Sequence, residues 1–373
     1  MHDIATNELG ILLVLAFVIF VSPYFAKITK IPIAPIEIIF GTILGYFGLI
    51  EQSATFKLVA EVGFFYLMFL AGTEIDIRAL IKTDKQVLRL ALLYISILYI
   101  VAGITGVWSN ALFLTFVVVP VMSVGVLSTL FKEYGKNEPW LNTAMIAGGI
   151  GEVISIALLT LMSAYIEFGS SAELFSSIYY LILFIALCVL GFKGLEILFW
   201  WYPNIKIMLM PHDDKAEKDI RLSMALFFST VAVMIYLNLE IVLGAFIAGS
   251  FIATFFNHKK DLPHKLGSFG FGFLVPIFFV YIGTTVDLGY LFMPGVLDNA
   301  IKLMIFMTIV RVAASLIFIK RFGLYDSILF GLSLSMPLTL LVAVATVAYN
   351  ASNIPKELYF AFIIASIFEV IIS

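Results

Sequence analysis

The chain has 373 residues, of which 62% are hydrophobic and only 13% charged, and its mean hydropathy is +1.09. A composition this apolar requires recurrent segments long enough to cross a bilayer, so the chain reads as an all-α, polytopic membrane protein. A net charge of -3 with the basic residues in short loops argues against a nucleic-acid partner, and a single cysteine, Cys188, excludes a disulfide framework and any cysteine cluster for metal.

Apolar runs near the roughly 20 residues needed to cross fall at 8–24, 33–50, 57–73, 86–107, 110–131, 140–166 and 174–201, then at 219–237, 239–257, 267–287, 297–321, 325–349 and 355–373. That makes about thirteen transmembrane helices, numbered here as spans 1 to 13. The first run lacks a basic leader region and a small-residue cleavage site, and is therefore read as a retained helix and not a signal peptide.

Loop charge tests the count. The segments after spans 1, 3, 5, 7, 9 and 11, with the span ends that flank them, hold 17 of the 22 basic residues, including Lys27, Arg78, Lys132, Lys215, Lys260 and Lys320. The other loops hold acids such as Glu51, Glu167, Glu173 and Asp298. Under the positive-inside rule the basic side is cytoplasmic, which puts the N-terminus outside and the C-terminus inside.

Self-comparison reveals a repeat. EIIFGTILG at 37–45 is like EIVLGAFIAG at 240–249, and GTEIDI at 72–77 is like GTTVDL at 283–288. The interval from Pro120 to Pro337 is the same as that from Glu152 to Glu369. Each match shifts by seven spans, an odd number, so the two halves are inverted in the membrane. This is the inverted-repeat pattern of secondary transporters, with span 7 as connector. A proline inside a span removes a helical hydrogen bond, and two repeat-equivalent ones predict two interrupted helices that cross near the midplane. Ser123, after Pro120, and Thr339, after Pro337, are the oxygen-bearing residues beside those breaks.

Glu152 stands in MIAGGIGEVISIALL, an apolar helix whose small residues leave room around one carboxylate. An ionisable group at that depth marks an ion or proton path. Arg311, about 14 residues into span 11, is near mid-depth at roughly 1.5 Å per residue. It requires an acid or a half-helix C-terminus, and Glu74, Glu369 and Glu152 are its candidate partners. Asp76 and Asp287 read as structural caps, and Glu37 and Glu240 as first-turn acids favoured by the helix dipole. His2, His212, His258 and His264 lie at the terminus or in loops, and neither HExxH nor GxSxG occurs, so the chain is not read as an enzyme.

FLAGTEID at 69–76, LGAFIAG at 243–249 and VPIFFVYIGTTVDL at 275–288 resemble segments of the monovalent cation/proton antiporter superfamily, particularly its bacterial branch of sodium/proton exchangers and potassium efflux systems. Inverted repeats are already known in this superfamily. The resemblance implies scaffold and dimerisation helices in 1–85 and 219–296. It implies an ion-binding core in 86–167 and 297–373, with a linker helix and cytoplasmic loop in 168–218. It also implies a homodimer in a bacterial inner membrane.

The chain departs from the superfamily in two places. The usual acidic or amide-acid pair of span 6 corresponds to Gly151 and Glu152, and the Thr-Ser-Pro-like turn of span 5 to Met122, Ser123 and Val124. The chain ends at Ser373 inside an apolar run, which reads as a removed C-terminal cytosolic regulatory tail.

The expected function is exchange of Na+ or K+ for H+ by alternating access, with no cofactor. Glu152 would bind either the proton or the desolvated cation, Ser123 would add an oxygen, and Arg311 would supply a fixed charge. One titrating carboxylate gives electroneutral exchange. Sodium-coupled uptake of a solute on the same architecture, or a sensor that has lost transport, are the alternatives.

Overall fold

The computed structural model describes residues 2–50, 52–76, 78, 83–108, 112–124, 127, 138–169, 172–211, 216–256, 258–259, 261–286, 295–350 and 353–373. Glu51, Lys82, Lys132, Lys136, His212, Lys215, Lys260 and Asp287, all within the loops and caps considered above, lie outside that set, as do the side chains of His2, Glu167, Glu173 and Lys206. No strand occurs among the described residues, and helix occupies part or all of each of the thirteen predicted spans.

Among the described residues, eight helices are long and apolar enough to cross a membrane: Glu8–Thr29, Ala54–Thr73, Lys85–Trp108, Pro139–Tyr165, Leu174–Trp201, Lys218–Tyr236, Leu262–Thr285 and Val296–Phe322. The pair Leu324–Ser333 and Leu338–Tyr349, bent by 42° at its break, passes the same test when taken as one span. Span 10 starts at Leu262, before its apolar run begins, which brings His264 and Lys265 into helix; it contains a π-helical turn at Gly270–Leu274. The predicted interruption of span 5 is also present. Helix Leu112–Val118 stops, residues 119–124 are non-helical, and Leu127 is helical again.

Spans 2 and 9 are the helices Ile33–Tyr46 and Ile241–Phe255, of 14 and 15 residues. At roughly 1.5 Å per residue both fall well short of an apolar core about 30 Å thick. Glu240 stands at the N-cap of the second, whereas Glu37 lies a full turn inside the first and is 3% exposed. The first-turn expectation for Glu37 is therefore corrected: it is a buried residue of the helix body. Asp76 accepts a 2.9 Å bond from the Arg78 amide, the local capping contact expected of it.

The chain divides into two compact units, one of residues 1–64, 85–155 and 270–373, the other of 65–84 and 156–269. In the first, Gly41 faces the Val280 carbonyl and Gly283 faces the Ile38 carbonyl, so closely that an added Cβ would lie 2.3 and 2.2 Å from those oxygens. In the second, Gly249 faces the Phe69 carbonyl and Gly72 faces the Phe246 carbonyl, at 2.0 and 2.1 Å. Only glycine permits such an approach, as at other close helix crossings in membranes.

The two crossings have the same design, and they reset the repeat register. Ile38 and Gly41 correspond to Phe246 and Gly249 at one common offset, which also superposes the first residues of the two short helices, Ile33 and Ile241. The likeness of the segments that begin at Glu37 and Glu240 uses a shorter offset and pairs Gly41 with Gly244. Gly244 does not take part in the crossing; it packs on Met234 and the Thr230 carbonyl.

Candidate ion-binding site

The site is built within the first unit from the two breaks and the helices beside them. Pro120 lies in the break after Leu112–Val118, where its ring cannot continue the helix. Pro337 closes the second break, and its carbonyl accepts the Leu341 amide at 2.8 Å to begin Leu338–Asn350. Thr339 is therefore in the first turn of a half-helix. Its Oγ1 lies 2.9 Å from Ser123 Oγ, so the hydroxyls join one break to the other.

Glu152 is wholly buried on the helix Pro139–Phe168. Ser123 Oγ donates to its Oε1 at 3.2 Å, and the Val124 amide, freed by the break, donates to its Oε2 at 3.2 Å. One turn further along, Ser155 Oγ accepts the Met122 amide at 3.3 Å. A helix break leaves backbone groups that must be satisfied away from water. Here the neighbouring helix supplies the carboxylate and a hydroxyl.

Arg311, also wholly buried, serves the opposite polarity. Its Nη2 donates to the carbonyls of Val119 at 3.2 Å and Val121 at 2.8 Å, capping the C-terminal end of the first half-helix. Its Nη1 donates to Glu369 Oε1 at 3.0 Å. Among the three acids considered for Arg311, Glu369 is thus the one that bonds it. Glu74 lies in the second unit, where it lines a cavity of about 220 Å³ with Thr73, Asp76, Lys259 and Pro263.

The two repeat-equivalent acids therefore sit in unlike surroundings. Glu369 is neutralised by a guanidinium, whereas Glu152 is held by a hydroxyl and an amide. The sequence carries the same asymmetry. At the offset that relates the two acids, the position of Arg311 corresponds to Tyr94, buried and uncharged.

Ser155 is a site residue that the sequence reading did not name, and Met122 and Gly151, noted there only as departures from the superfamily pattern, meet at the site. A Cβ on Gly151 would lie 2.2 Å from Met122 Sδ, 3.1 Å from its Cγ and 3.2 Å from its Cβ. The two departures from the superfamily pattern thus touch each other: the thioether occupies the space where a first acid of the pair would begin. Gly151→Ala should consequently displace Met122, whose amide is fixed by Ser155, and cost about 1–3 kcal/mol as an overpacked core does. We expect a lower melting temperature and weaker exchange from Gly151→Ala, both recovered when Met122→Ala is added. Equal losses in the single and double variants would show that the contact is not the cause.

A profile of the transmembrane sodium/hydrogen exchanger family matches residues 14–373. YjbQ of Bacillus subtilis (strain 168), named for Na+/H+ antiport, is 27% identical over 395 aligned residues, covering 98% of this chain and 62% of YjbQ. The chain thus spans less than two thirds of that relative. The Na+/H+-K+ antiporter GerN of Bacillus cereus is 23% identical over 289 residues, 75% of this chain and 70% of GerN. Among solved structures, the sodium proton antiporter MjNhaP1 of Methanocaldococcus jannaschii at pH 8 superposes with a TM-score of 0.68 at 18% identity, over 100% of this chain and 94% of that one. The likeness to MjNhaP1 is one of fold.

Proposed function

Because the chain belongs to the sodium/hydrogen exchanger family, we propose that it exchanges a monovalent cation, Na+ or K+, for H+ across a lipid bilayer, with Glu152 as the single group that changes its load. The observation that carries this reading is the contrast between the two repeat-equivalent acids, Glu152 and Glu369. Arginine keeps its proton in a protein, so Arg311 and Glu369 form a neutral, constant pair. Glu152, held by neutral donors, is left to take either a proton or a cation.

Competition for one carboxylate is the coupling. A bare charge is costly in a buried site, so the carboxylate is occupied by one ion or the other. A cation that displaces the proton gains oxygen ligands from Glu152, Ser123 Oγ and Thr339 Oγ1, each within hydrogen-bond distance of the next. Loading either ion neutralises the same site, so one cation crosses per proton and no net charge moves. Alternating access follows if core helices of 86–167 and 297–373 move against scaffold helices of 1–85 and 219–296, with 168–218 as linker. The protein works as a homodimer in a bacterial inner membrane, its N-terminus outside and C-terminus in the cytoplasm. GerN, named for both Na+ and K+, supports keeping both cations as cargo.

The test is cation-stimulated proton movement in proteoliposomes, scanned over Na+, K+ and Li+. Dissipation of an imposed pH gradient by at least one of these cations is expected. Sodium-driven solute uptake without proton movement would replace this reading with symport, and silence towards every cation would replace it with a transport-dead sensor.

A further inference from the structure

We propose that the cavity beside Arg78 and Glu196 binds the headgroup of a zwitterionic phospholipid bearing a primary ammonium, of the phosphatidylethanolamine class. It lies within the second unit, has a volume of about 520 Å³, and is lined by Arg78, Glu196, Phe199, Trp200, Trp201 and Phe255. Arg78 follows span 3, Glu196 to Trp201 form the last turns of span 7, and Phe255 ends the span 9 helix. All three are the ends that the loop charges assign to the cytoplasmic face, so the cavity is at the depth of the inner-leaflet headgroups.

Its chemistry is that of a matched pair of charges in an aromatic frame. Arg78 Nε lies 3.4 Å from Glu196 Oε1, and the guanidinium carbon is 4.8 Å from the centroid of the Phe255 ring. The side chains remain 31% and 61% exposed, so both charges face the cavity mouth or its surroundings and are not spent in a dry core. Such a half-exposed pair contributes little stability by itself. A guanidinium that keeps one edge on a carboxylate still has its Nη groups for a phosphate, which it binds as a planar fork. The carboxylate has a second oxygen for an ammonium, and indole faces attract that same cation. Trp200 and Trp201 stand nearly perpendicular, 86° apart, and are 73% and 66% exposed, as side chains are at a membrane interface.

The charge pattern chooses among lipids. A net-anionic headgroup would satisfy Arg78 but set a negative charge beside Glu196. A quaternary ammonium would offer Glu196 no N–H to accept.

The full chain, purified and delipidated in detergent, should be titrated with dioleoyl phosphatidylethanolamine, phosphatidylglycerol and phosphatidylcholine, with retained lipid read by native mass spectrometry and melting temperature followed in parallel. We expect the ethanolamine lipid to be held about tenfold more tightly than the other two, and to raise the melting temperature. Arg78→Gln should lose this retention. Glu196→Gln should shift the preference towards phosphatidylglycerol, a gain that misfolding would not produce. Equal retention of the three lipids by the native chain, or an unchanged order of preference in Glu196→Gln, would overturn the proposal. Equal protection by soluble O-phosphoethanolamine at the same concentration would also overturn it, by assigning the cavity to a soluble phosphate. Transport is not the readout, so the result stands apart from the antiport reading.

Discussion

Glu152→Gln is expected to reduce cation-driven proton movement to the level of empty liposomes while leaving the protein folded. Glutamine keeps the shape of the side chain, and its amide oxygen can still accept from Ser123 Oγ or the Val124 amide, the two bonds that hold Glu152. It can neither release a proton nor offset a cation, so the loss separates chemistry from packing. Glu152→Asp is a finer probe. It retains the charge but withdraws it by one methylene from donors already at 3.2 Å. Weak exchange with a raised half-saturating cation concentration is the expected result. Full activity in Glu152→Gln would refute the assignment of the site.

The second large effect is expected from Arg311. Arg311→Ala removes the partner of a wholly buried carboxylate and uncaps the Val119 and Val121 carbonyls. Breaking a buried ion pair from one side typically costs about 3–5 kcal/mol, so a steep fall in melting temperature and loss of exchange should occur together. Glu369→Gln leaves the guanidinium unbalanced and should also destabilise. If the pair is a constant, neutral support, removing both charges as Arg311→Met with Glu369→Leu should recover more of the melting temperature than either single change retains. It should not restore full transport, because the two carbonyls remain uncapped. If Glu369→Gln instead preserved stability and altered the number of protons carried per cation, Glu369 would belong among the transported charges.

Much of this arrangement was legible because polar groups are conspicuous in an apolar chain. Glu152 and Arg311 stood out on that ground, and Pro120 and Pro337 marked breaks that the fold contains. Contacts between distant helices were harder to read. Three acids were open to Arg311, and only packing of Val296–Ser315 against Lys356–Ile372 makes Glu369 the one bonded to it. Val119 and Val121 contribute through carbonyls, which every residue has, so no side-chain signal could single them out.

The register between spans 2 and 9 shifts for a related reason. The Glu37 and Glu240 segments look alike in composition, but the crossing selects positions with no side chain at the contact, and those are Gly41 and Gly249. Met122 stands in the non-helical break of span 5 and Gly151 on the helix Pro139–Phe168, well separated in the sequence, and they are informative only as a pair. Apart, one is an apolar residue and the other a small one; together they show Met122 filling the space beside Gly151.

A single exchanging carboxylate is the central claim, and charge movement tests it most directly. Proteoliposomes containing the full chain should be loaded with a fixed cation gradient, and turnover measured with the membrane potential held at zero and then set to either sign. If Glu152 alone exchanges one proton for one cation, the rate is the same at all three potentials. Turnover that is clearly driven by the imposed potential would contradict the account, because a second charge would then cross with each cycle.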